Sequence, residues 1–139
     1  MNAAGASHRP RRLLRSLGAV LAGLVAIFVL SLGTDQVFHG LEVFPPWGEP
    51  MTDTGLLLLA FAYRCVYAVA GCYLAARVAP SAPMGHAMTL GAVGVVLSTA
   101  GAMAMWDFGA HWYPVALVIS SLPLAWLGGV LHRIWHAGR

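Results

Sequence analysis

The stretch that decides the fold is Ser16–Thr34, SLGAVLAGLVAIFVLSLGT, nineteen residues without a charge between Arg15 and Asp35. As a helix it is about 28 Å long, which matches the hydrocarbon core of a bilayer. Three further apolar runs follow, over residues 54–77, 84–106 and 112–132. The second run is interrupted by Arg64 before Arg77 closes it. Pro80 and Pro83 precede the third and Pro114 falls in the first turn of the fourth, a position where a helix tolerates the missing N–H. No series of alternating ten-residue strands occurs, so the spans are helices and not barrel strands. The sequence predicts one all-α transmembrane domain, an antiparallel bundle of four helices with short connections.

Composition excludes most other classes. The chain has 139 residues, of which 8 are basic, all Arg, and 5 acidic, so only 9% are charged. Soluble domains carry about 25%. Hydrophobic residues reach 59% and the mean hydropathy is +0.74. A soluble fold of this size could not cover that much apolar surface, so lipid must cover the remainder. Disorder and nucleic-acid binding are excluded by the same numbers.

The charges segregate by side. Arg9, Arg11, Arg12 and Arg15 precede the first span, Arg77 follows the second, and Arg133 and Arg139 follow the fourth. With four spans these share one side, while Asp35, Glu42, Glu49, Asp53 and Asp107 share the other. The positive-inside rule makes this a multi-pass protein of the cell inner (plasma) membrane with both termini cytoplasmic. No A-x-A site follows the first span, which is expected to remain uncleaved. Trp47, Trp106, Trp112 and Tyr113 fall at the outer interface and Trp135 at the inner one, as an aromatic belt does. The partners this implies are the bilayer, whose anionic headgroups suit RPRRLLR, and further copies or other membrane proteins. The plan is similar in shape to many small bacterial four-span membrane proteins, and shape does not fix function.

Helices associate in lipid through small residues. Ala60, Arg64, Ala68, Gly71 and Ala75 share one face of the second span, and Ala87, Gly91, Gly94, Ser98 and Gly101 one face of the third. The first span offers Gly18, Ala22 and Ala26, and the fourth Gly128 and Gly129.

Arg64 is the one charge that sidedness leaves unexplained. It lies about 15 Å into its span, near the midplane, where a charge costs roughly 2.5–3.5 kcal/mol on insertion scales. Its small-residue face turns it into the bundle. Pro123 enters the fourth span at a similar depth and frees the carbonyl of Ile119, and Ser120 and Ser121 add hydroxyls. These acceptors suit a guanidinium, which only donates. Tyr63 and Tyr67 are expected to line the same polar site. Asp35 or Asp107 would supply a counter-charge only if Arg64 reached outward or an acid lay deeper than the end of its span.

The outer loop, residues 35–53, opens with an amphipathic helical extension over 35–44 that stacks Asp35, His39 and Glu42, and Pro45-Pro46 ends it. Asp107 and His111 are again four apart. This outer cluster reads as a solvated or cation-binding vestibule, and His39, Glu42 and His111 as a weak three-ligand metal set. Two histidine pairs, His39 with His111 and His86 with His132, allow a haem reading, but they sit at span ends where water competes. Cys65 and Cys72 lie seven apart, about 10 Å along a helix, too far for a disulfide. No Walker loop, G-x-S-x-G, C-x-x-C or G-x-G-x-x-G occurs, and no cofactor is predicted.

The leading expectation is a non-enzymatic membrane protein that binds or helps to move a small ligand or ion at the polar site around Arg64. The alternatives are an accessory protein in which Arg64 is a structural clamp, and a metal- or haem-dependent redox protein built on the outer cluster.

Overall fold

The computed structural model describes residues 3–137, with side chains described for residues 9–137. Arg139 lies outside the described residues. The chain forms four helices, α1 (Ala3–Gly40), α2 (Thr54–Val78), α3 (Pro83–Ala104) and α4 (Trp112–His136). A single 3₁₀ turn, Trp106–Phe108, stands between α3 and α4. All four helices are long and apolar enough to cross a membrane.

The first apolar run is only the middle of α1. The helix continues through Thr34 and Asp35 to Gly40, so Asp35 is inside it and not at its end. The expected extension to Phe44 stops four residues short, and its ending has a defined geometry. The Val43 N–H donates to the Phe38 carbonyl and the Glu42 N–H to that of His39, while Glu42 takes a left-handed φ of 58°. This is a Schellman cap with glutamate where glycine is usual, and Val43 and Phe38 are its hydrophobic pair. Phe44 then folds back, 5% exposed, onto the Phe38 ring at 5.1 Å.

The other boundaries follow local chemistry. Asp53 caps α2, its Oδ1 accepting from the Leu56 N–H at 3.0 Å. Pro83 opens α3 at a position that needs no N–H. The helix ends at Ala104, two residues before the predicted boundary, because the chain tightens into the 3₁₀ turn. Asp107 and His111 therefore do not share a helix. α4 runs to His136, a turn beyond residue 132.

Close approach of backbones holds the bundle together. A Cβ on Gly71 would lie 2.8 Å from the Gly23 carbonyl, and one on Gly128 would lie 2.8 Å from the Val69 carbonyl. Only Gly fits such crossings. The buried cluster is correspondingly small-sided: Cys72, Ala75, Ala76, Ala87, Leu90 and Ala125. Large apolar side chains such as Val25, Val66 and Ile119 point outward instead. The small-residue faces of α2 and α3 pack as their spacing implies near Gly71 and Gly91. On α1 the packing face differs from the predicted one. Ala19 and Gly23 are buried, whereas Gly18 is exposed with nothing within 4 Å of its Cβ position. The buried ridge continues at four-residue steps through Ser31 to Asp35.

α2 packs against each of the other three helices, α3 packs along α4, and among the described residues α1 has no substantial packing with α4. The α1–α3 seam closes where Gly23 meets Leu90. At the other end the two longer connections meet, the Gly109 Cβ position lying 3.2 Å from the Met51 carbonyl.

Candidate functional site

Two consecutive residues of α2 converge on one carboxylate of α1. Tyr63 Oη donates to Asp35 Oδ1, and Arg64 Nη2 donates to Asp35 Oδ2 in an ion pair. The Asp35 side chain is 9% exposed and that of Arg64 31%. The Arg64 guanidinium carbon also lies 5.9 Å from the centre of the Tyr63 ring, within cation–π range. One turn along, Thr34 Oγ1 and Tyr67 Oη are 2.7 Å apart. Thr34 spends its only proton on the Leu30 carbonyl at 2.7 Å, so Tyr67 is the donor between them.

The counter-charge of Arg64 is thus Asp35, and the expected clamp on α4 is absent. Ser120 and Ser121 both donate to the Leu117 carbonyl of their own helix, at 3.2 and 2.8 Å. Among the described residues, neither serine nor the Ile119 carbonyl bonds Arg64. Arg64 Nε is buried without an acceptor, and the described residues give Nη1 none either. A guanidinium carries five N–H donors, and among the described residues one of them, on Nη2, is engaged.

Arg64 faces a cavity of about 660 Å³ between the helices. Ligand cavities span roughly 300–1,000 Å³. Asp35, Tyr63, Tyr113, Ser120 and Ser121 share its wall with Arg64. Toward the Gly23–Leu90 crossing the lining is apolar: Leu24, Ile27, Cys72, Leu90 and Leu124. At the opposite end the connections roof it with Phe44, Trp47 and Phe108. Of the predicted site residues, Tyr67 is off this wall, bound to Thr34. Tyr113 was expected only as an interfacial ring. Its spacing to Leu117, Ser120 and Leu124 places all four on one face of α4, and that periodicity is the signal for it.

The outer cluster does not assemble around a common point. His39 Nδ1 donates to the Pro45 carbonyl at 2.7 Å and its ring lies against that of Trp47, tilted by 30° with centroids 3.9 Å apart. Glu42 is the exposed cap residue of α1. His111 stacks on Trp106 at 4.1 Å, nearly parallel. Among the described residues no three His, Cys, Asp or Glu converge as a ligand set, so His39, Glu42 and His111 remain apart. His132 stacks on His136 at 4.3 Å, and His86 bonds the Ala82 carbonyl of its own helix. Both cysteines are free. Comparison with protein-family models, curated proteins and solved structures finds no match for this chain.

Proposed function

We propose that this chain is an integral protein of the inner (plasma) membrane that binds, or helps to move, a small ligand in the cavity at Arg64. The single observation that carries the reading is a membrane-buried guanidinium facing about 660 Å³ of space with unengaged N–H donors. Burying a charge at that depth is costly, and a charge retained only for packing would have its donors satisfied by protein. The bundle is antiparallel with both termini cytoplasmic. Pairing of Gly23 with Gly71 and of Asp35 with Tyr63 supports the first statement, and the distribution of arginines and acids supports the second.

One observation favours a second reading. Asp35 ties α1 to α2 through two donors, which is what a structural clamp in an accessory membrane protein would do. Native mass spectrometry of the protein purified from its own membrane separates the two. The ligand reading predicts a non-protein mass bound to the wild type and absent from Arg64→Leu/Asp35→Asn. A wild type that carries no such mass, beside a variant that loses stability, supports the clamp of the accessory role instead.

A further inference from the structure

We infer that the cavity takes a neutral lipid-soluble molecule with a carbonyl acceptor on an apolar body, admitted from the bilayer through the α1–α3 seam. This rests on the ligand-binding reading and specifies the ligand.

Charge is the first ground. Asp35 already neutralises Arg64, and both its oxygens are occupied, by Tyr63 and Arg64. An anionic headgroup would place a second negative charge beside a carboxylate that is 9% exposed, or displace it and leave it unpaired. A cation would meet the guanidinium. A neutral group meets neither penalty.

Hydrogen bonding is the second ground. Arg64 is the charged donor facing the cavity with N–H groups unengaged, the Tyr113 hydroxyl lies on the same wall, and Ser120 and Ser121 have committed their protons to Leu117. The complement of a donor-only group is an acceptor such as an ester, ketone or quinone carbonyl. Below the guanidinium, the apolar lining from Ile27 to Leu90 suits a hydrocarbon body.

Access is the third ground. α1 and α3 meet at Gly23 and Leu90 and then separate. Phe28 on α1 and Leu97 and Met105 on α3 line the cavity and are also exposed on the surface, at 47%, 42% and 55%. Gly101 lines it between them, with nothing within 4 Å of its Cβ position. The cavity is therefore continuous with the lipid-facing surface at this seam.

The test is native mass spectrometry of detergent-solubilised full-length protein with four probes: monooleoylglycerol, decylubiquinone, oleate and oleylamine. The expected result is one monooleoylglycerol or decylubiquinone retained per chain. Retention falls about tenfold or more in Arg64→Leu/Asp35→Asn, as loss of a hydrogen bond to a charged group implies. Whichever neutral probe is retained identifies the source of the carbonyl, a glyceride or a quinone. Gly101→Phe, which fills the seam, slows uptake from lipid nanodiscs at least fivefold. Gly18→Phe, at an equally open position off the cavity, leaves uptake unchanged. Arg64-dependent retention of oleate or oleylamine in preference to the neutral probes overturns the inference and leaves the ligand-binding reading standing. The same holds if all four probes fail while an Arg64-dependent mass co-purifies. Equal uptake by Gly101→Phe overturns the seam route. No probe and no co-purified mass overturns both readings.

Discussion

Asp35 and Arg64 form an ion pair between α1 and α2, with Tyr63 holding the second carboxylate oxygen. The pair couples a packing decision to a chemical one. The ridge of α1 that carries Ala19 and Gly23 into the bundle also turns Asp35 inward, where it fixes the charge of Arg64 and leaves other donors of the guanidinium unengaged. Single substitutions should therefore be worse than the double. Arg64→Leu and Asp35→Leu should each cost about 3 kcal/mol, while Arg64→Leu/Asp35→Leu should approach wild-type stability. Arg64→Leu should be the worse single change, because it orphans the more buried partner. A double-mutant cycle by chemical denaturation in detergent measures this directly.

The glycine crossings should separate from the open glycines. Gly71→Ala puts a methyl 2.8 Å from the Gly23 carbonyl, a backbone atom that cannot rotate away, and should destabilise by about 2–3 kcal/mol. Gly18→Ala meets nothing within 4 Å and should gain up to about 1 kcal/mol from helix propensity. Thermal unfolding of the two variants side by side checks both signs.

The cap of α1 carries a removable strain. Glu42 holds a left-handed φ of 58° that its Cβ disfavours. Glu42→Gly should stabilise the protein by about 1 kcal/mol without altering the helix end. Unchanged or lower stability would show that the glutamate side chain contributes more than the strain costs.

Sidedness yields a labelling prediction. In a background with Cys65 and Cys72 replaced, Glu49→Cys should react with a membrane-impermeant thiol reagent in intact cells. Ala137→Cys should react only after permeabilisation. The opposite pattern would reverse the assigned orientation.

The spans were legible because uncharged runs of this length have one solution in lipid. The inward face of Arg64 was legible because Ala60, Gly71 and Ala75 mark a packing face at helical spacing. Asp35 was legible as a residue of the helical extension beyond the first span and as one of two candidate counter-charges. Spacing along α1 cannot show that Tyr63 and Arg64 of α2 both meet it across the bundle. The serines misled for a local reason: Ser120 and Ser121 satisfy themselves on the Leu117 carbonyl, a bond within α4 that competes with any partner across the bundle. The face of α1 was misread because Gly18, Ala22 and Ala26 are also small at four-residue steps, and residue size does not choose between adjacent ridges. The outer histidines are held by ring contacts with Trp47 and Trp106, contacts that sequence spacing does not reveal.

The central claim is that Arg64 faces an occupied cavity, and an experimental density map of the wild-type protein in lipid nanodiscs tests it most directly. The account predicts density for a bound molecule with a polar atom about 2.7–3.2 Å from Arg64 Nη1, while Asp35 keeps its bonds to Nη2 and Tyr63. A collapsed, dry interior in which Ser120, Ser121 or another protein acceptor takes the remaining guanidinium donors would contradict it.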